Sequence, residues 1–88
     1  MAILVDFLQP YDDGYWSHLA CESGDDLEEL HTFAQSIGLR RDWFQNHRLI
    51  PHYDLKPRLR RAAVAAGAEQ VGVLEFCDRC RRDGKAKS

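Results

Sequence analysis

Apolar residues fall along this chain first in short extended runs and then at helical spacing. Residues 2–7, Ala-Ile-Leu-Val-Asp-Phe, form a branched apolar run ahead of the turn-prone Gln9-Pro10-Tyr11-Asp12-Asp13-Gly14, which predicts a buried strand followed by a loop. The aromatic content of residues 15–20 predicts a second strand. Alternation places Trp16, His18 and Ala20 on one of its faces and Tyr15, Ser17 and Leu19 on the other. Leu27, Leu30, Ala34 and Ile37 then recur at spacings of three and four and predict a helix with one apolar stripe. Asp25 or Asp26 caps it, each with a Glu three residues later, and Gly38 supplies the left-handed stop. His31 lies beside that stripe, so its ring leans toward the core side.

A second helix is expected from Asp54, as its N-cap, through Ala66 to Gly67, with Pro57 tolerated in the first turn. Leu55, Leu59, Ala62, Ala63 and Ala66 give it a narrow buried side. Residues 68–73 read as a third strand, residues 74–82 as a short last helix and residues 84–88 as a frayed tail. Neither an internal repeat nor a long linker interrupts this order. The expected fold is α+β: one domain over residues 1–83, with about three strands packed against two to three helices.

Residues 40–54 join the two best-defined helices and gather three Arg, two His, two Asp, a Trp and a Tyr, more charge and hydrogen-bonding chemistry than a connector needs. Trp43 and Phe44 are expected to fold back on the core as a single helical turn. Residues 49–53 should be extended because Pro51 disfavours helix before it. A chemistry-rich segment held between rigid elements is a usual place for binding groups.

Composition narrows the setting. The 88 residues are 44% hydrophobic and 30% charged, as in an ordinary globular domain. No apolar run approaches the roughly 20 residues of a membrane helix, and the first residues lack the pattern of a signal peptide. The expected location is cytoplasmic, and the odd set Cys21, Cys77 and Cys80 fits reduced thiols. The net charge of -2 divides unevenly: residues 1–30 hold eight acids and no Lys or Arg, whereas the remainder holds all 12 basic residues against six acids. Such asymmetry marks either a pole that meets phosphate or two halves that attract each other, within one chain or across a homo-oligomer.

Cys77-Asp78-Arg79-Cys80 has the spacing of a zinc or redox pair, but it has no second pair and no strand-to-helix start, so it is read as structurally unimportant. Glycine-rich phosphate loops, nucleophile elbows and sequence-specific nucleic-acid motifs are absent, and the basic second half gives only a weak phosphate signal. The histidines carry more. His18, His31 and His52 come from three separate elements and are expected to converge, with Asp6 and Asp54 as orienting or acid-base partners. Such a group can exchange protons near neutral pH or hold a divalent metal, although none of its pairs has a local chelate spacing. Asp6 reads equally as a structural acceptor and Asp54 as a helix cap.

Several blocks together, Trp16-Ser17-His18-Leu19, Glu29-Leu30-His31 with Phe33-Ala34 and Ile37-Gly38-Leu39, Arg41 with Trp43-Phe44, His52-Tyr53-Asp54-Leu55, and Ala63-Val64 with Ala66-Gly67-Ala68, resemble the signature of a family of small bacterial and phage proteins known as a domain of unknown function. The resemblance covers nearly all of residues 3–73 and brings no activity with it. It does place His18, His31, His52 and Asp54 inside the family's blocks and leaves the cysteine pair and His47 outside them.

Two readings follow. In the first, the protein binds a small phosphorylated or nucleotide-type ligand: Trp16, Trp43 or Tyr53 stacks on a planar group, Arg40, Arg41 and Arg61 meet phosphate, and Asp6 and the histidines complete the site. Turnover would then be phosphoester or glycosidic hydrolysis with a His acid or base. In the second, the chain is a protein-interaction module with structural histidines. A short chain with exposed aromatic residues has little interior to enclose a ligand, so a homo-oligomer is expected.

Overall fold

The opening apolar run forms β1 (Ile3–Asp6), buried along its whole length. The segment read as a loop contains instead a short strand, β2 (Gln9–Tyr11), which turns at Asp12 and Asp13 into β3 (Gly14–Cys21). Pro10 is compatible with this because β2 is an edge strand. The computed structural model of the chain describes residues 2–24 and 26–82, so Asp25 and the expected tail at 84–88 lie outside it.

The first helix, α1 (Leu27–Ser36), forms as its stripe predicts. Asp26 caps it by accepting the Glu29 N–H at 3.1 Å, and Gly38 ends it at φ +95°. A single 3-10 turn at Arg41–Trp43 follows; it brings Phe44 onto the core and leaves Trp43 exposed. Residues 53–55 then depart from expectation. They form β4 (Tyr53–Leu55), and the second helix, α2 (Pro57–Ala65), starts only at Pro57. Proline takes the first helical position, where its missing N–H costs nothing, and Lys56 is the N-cap with no side-chain cap bond. Asp54 is therefore not a helix cap, because its backbone is committed to pairing with β3. The chain ends its described part with β5 (Glu69–Val71) and α3 (Val73–Cys80).

The result is one α+β domain with a five-stranded mixed sheet, two strands more than expected. Leu19 pairs with Val5 on one side and Tyr53 on the other, so β3 lies between β1 and β4, both antiparallel to it, while β5 joins β1 in parallel. Helices cover both faces. On one, Val5, Leu19, Tyr53 and Leu55 pack with Leu30 and Ala34 of α1 and Ala63 of α2. On the other, Leu4 and Ala20 pack with Phe76 and Cys80 of α3. Among the described residues no helix is long and apolar enough to cross a membrane.

α3 covers only part of its face. The uncovered end of that face carries His18, His52 and Asp54.

Candidate functional site

The site begins at an irregularity in the β1–β3 ladder. Between the pairs Val5↔Leu19 and Gln9↔Trp16, residues 6–8 on one strand oppose residues 17–18 on the other, a bulge of one residue. Asp6 fills the gap left in the backbone bonding. Its Oδ1 accepts the His18 backbone N–H at 2.6 Å, and its Oδ2 accepts from Gln9 Nε2 at 3.0 Å and lies 2.8 Å from His18 Nδ1. An ionised carboxylate only accepts, so His18 Nδ1 carries the proton. The bond to Asp6 raises the His18 pKa above its ordinary value; burial opposes this, and the charges of Asp6 and Asp54 reinforce it.

His52 reaches the same place from the strand on the other side. His18 is opposite Asp54 in the β3–β4 register, and His52, two residues before Asp54, shares its face. Gln45 and His52 exchange two backbone hydrogen bonds of 2.8 and 3.1 Å, which fix the approach to β4. His52 Nδ1 donates to the Ile50 carbonyl at 2.7 Å. Gln45 Nε2 donates to Asp54 Oδ2 at 3.2 Å and leaves Oδ1 facing the imidazoles. The two rings meet edge to face at 5.2 Å. Asp54 Oδ1 is 3.8 Å from His18 Nε2 and 3.5 Å from His52 Nε2.

Cavities adjoin this cluster. One of about 340 Å³ is lined by His18, His52 and Asp54 together with Trp16, Asp13 and Tyr11. A larger cleft of about 540 Å³ runs between Trp16 and Trp43 and shares Trp16 and Asp54 with the first. Trp16 is held by donating its Nε1–H to Asp13 at 2.9 Å, and the Lys56 ammonium sits over its ring at 5.1 Å. A third hollow of about 160 Å³, on the α3 side, is lined by His18, His47, His52, Phe76 and Cys77.

Several expected site residues are elsewhere. His31 lies on the opposite face of the sheet, its Nδ1 hydrogen-bonded to the Tyr53 hydroxyl at 2.8 Å and its ring against Phe44 at 4.6 Å. The anticipated convergence of three histidines is thus a convergence of two. Strand alternation is the reason: Tyr53 points away from His52 and Asp54, toward the face that α1 covers. Burial, then the Arg41 charge, lowers the His31 pKa. Tyr53 is fully buried, with its hydroxyl pKa raised by that burial, so it cannot stack on a ligand. Asp6, by contrast, is at the cluster, where it holds His18 and lines the hollow on the α3 side. Arg40 pairs with Asp42 at 3.2 Å, Arg41 stacks over Phe44 at 5.5 Å and Arg61 is exposed on α2; none of the three lines these cavities.

The structure adds Gln45, Lys56, His47 and Cys77 to the neighbourhood. His47 Nδ1 accepts from the Leu49 and Ile50 N–H groups, so its ring proton is on Nε2. Cys77 faces the histidines, whereas burial pushes the Cys80 thiol up to about 12, the reverse of an activated redox pair. One signal in the sequence could have exposed the cluster: His52-Tyr53-Asp54, read as a strand, places His52 and Asp54 on one face.

Against known proteins, a family model described as "Protein of unknown function (DUF4031)" matches residues 3–83, and the chain belongs to that family. Neither a curated protein nor a solved structure matches the chain.

Proposed function

We propose that this member of the DUF4031 family binds a small phosphorylated ligand of nucleotide type in the cleft between Trp43, Trp16 and the two histidines, and acts by sequestering or hydrolysing it. The observation that supports this reading is that the two cavities have Trp16 and Asp54 in common, so an aromatic wall and a pair of imidazoles adjoin. Each volume lies within the roughly 300–1,000 Å³ of small-molecule sites. A planar group stacked on Trp16 or Trp43 gains about 0.5–1.5 kcal/mol beyond the area it buries. Lys56 takes the phosphate-facing place once expected of Arg40, Arg41 and Arg61, and His18 or His52 serves as acid or base if the ligand is hydrolysed. The setting we infer is cytoplasmic, in keeping with cysteines that stand as thiols.

The test is calorimetric titration with nucleosides and with nucleoside mono-, di- and triphosphates. One saturable site is expected, with binding lost in Trp16→Ala. Uniform weak heats, or binding untouched by that substitution, would favour a protein-interaction module instead. That second reading draws on Tyr11 and Tyr15, exposed aromatic side chains of the β2–β3 hairpin, and on Phe7, exposed just before β2. A homo-oligomer, which closes the open cleft with a second copy, belongs to the proposal, and light scattering should then give at least twice the 10.1 kDa of one chain.

A further inference from the structure

We infer that His18 Nε2, His52 Nε2 and Asp54 Oδ1 are the three protein ligands of a divalent transition-metal site of the zinc class. One ligand atom from each of the three residues lies within 4.8 Å of the others, and Asp54 Oδ1 is 3.8 and 3.5 Å from the two Nε2 atoms. Their partners decide what they present. The Asp6 carboxylate and the Ile50 carbonyl can only accept, so both Nδ1 atoms carry protons, and Nε2 is the atom that each ring turns toward Asp54 Oδ1. Two imidazole nitrogens and a carboxylate oxygen turned toward one point are the donor set of a cation.

A proton is a poorer occupant than a metal. An imidazolium paired with a carboxylate draws its N–H···O contact to about 2.7–2.9 Å, and the distances here are 3.5 and 3.8 Å. Ligands placed about 2.0–2.1 Å from a tetrahedral ion stand about 3.4 Å apart, close to the two Asp54 contacts; the imidazoles draw in as well, since the set spans up to 4.8 Å.

The surroundings are those of a metal site. Histidine ligands characteristically donate the other ring N–H to a carboxylate or a backbone carbonyl; His18 uses Asp6 and His52 uses Ile50. Gln45 holds the second oxygen of Asp54. Two imidazoles with one carboxylate suit zinc and its neighbours, whereas magnesium and calcium prefer all-oxygen sets. Three protein ligands leave a position open to the cavity beside Trp16, for water or a ligand oxygen. A cation there would add to the Lys56 charge beside Asp13, Asp42 and Asp54. His47 is not a fourth ligand, since its Nδ1 is occupied and its Nε2 is protonated. The inference stands on this geometry whether or not the ligand is a nucleotide.

The experiment uses the whole chain, stripped with chelator and titrated with zinc chloride alone, alongside magnesium chloride. One zinc per chain is expected, with magnesium at least about 100-fold weaker. Asp54→Asn should weaken zinc binding by more than the about 10–100-fold typical of an outer-shell change, and His47→Gln should bind as the parent protein does. Circular dichroism checks that the isosteric Asp54→Asn chain is folded, so a failure of His52→Gln to fold leaves the decision with that variant. Absence of zinc binding, equal affinity for magnesium, or zinc binding unchanged in Asp54→Asn, which would place the ion on the thiols, overturns the site. Because no nucleotide is present, this outcome is independent of the ligand titration.

Discussion

His31 shows how a side chain that stands apart from the site still shapes behaviour. Its half-buried imidazole is bonded to the Tyr53 hydroxyl, and burial with the Arg41 charge lowers its pKa below the ordinary value of 6.5. On acidification the unfolded chain takes up this proton first, so over that window the unfolded state binds more protons and stability rises with pH. The His31 contribution is present above about pH 6.5 and is lost as pH falls through the lower folded value. Denaturant midpoints should therefore drop more steeply between pH 7 and pH 5 in the parent protein than in His31→Gln. His18, raised by Asp6, changes stability in the opposite direction in both proteins, so the difference between them isolates His31; parallel slopes would show that the His31 ring is not the source. At this scale the sequence pointed to His18, His52, Asp54 and Trp16 by residue type. It grouped His31 with them because a helical stripe tells which side of a helix is buried, not which face of the sheet receives it.

At the scale of elements, legibility follows length. α1 was readable because ten residues carry a full stripe, a cap and a glycine stop. β2 and β4 have three residues each, too few for alternation to outweigh Pro10, or to outweigh an Asp that looks equally suited to cap a helix. The bulge at Asp6 depends on the relative register of two strands, which no single segment encodes. It also makes a prediction of its own. Asp6→Ala removes the acceptor of a buried backbone N–H and of the His18 ring, at a cost of about 1–3 kcal/mol. Asp6→Asn keeps an oxygen for the backbone bond but turns an amide donor toward His18 Nδ1. That nitrogen must then accept, and the ring proton moves to Nε2. Urea unfolding should show the Asn protein more stable than the Ala protein, and nitrogen-15 shifts should show the His18 tautomer reversed. An unchanged tautomer in Asp6→Asn would mean that Asp6 does not set the ring.

Across the whole molecule, the acidic first third and the basic remainder touch inside one chain where Arg79 of α3 reaches Glu22 at 3.2 Å. Arg79 also reaches Glu69 at 2.9 Å and Glu75 at 3.0 Å within the second part, and Arg60 donates to the Asp6 backbone carbonyl at 2.9 Å. The sequence left open whether the two charge populations pair within a chain or between chains, because composition carries no distances; the Arg79–Glu22 contact is a pair within the chain. The Arg79 contacts also bear on the site. α3 is a short helix with a small core, and its Phe76 ring lies 6.1 Å from that of His18, so the seat of α3 helps define the wall beside the histidines. Each Arg79 pair is partly exposed and individually weak, and screening should weaken the group further at high salt. If the Arg79 contacts hold α3 against the sheet, Arg79→Ala should speed amide exchange in α3 by a few-fold at low salt, on the order expected for local opening, and leave α1 unchanged. In about 1 M salt, where the Debye length is about 3 Å, parent and variant should converge. Equal exchange at both salt concentrations would show that Phe76 and Cys80 hold the helix without the ion pairs, and faster exchange everywhere would show that Arg79 supports the whole domain rather than the wall of the site.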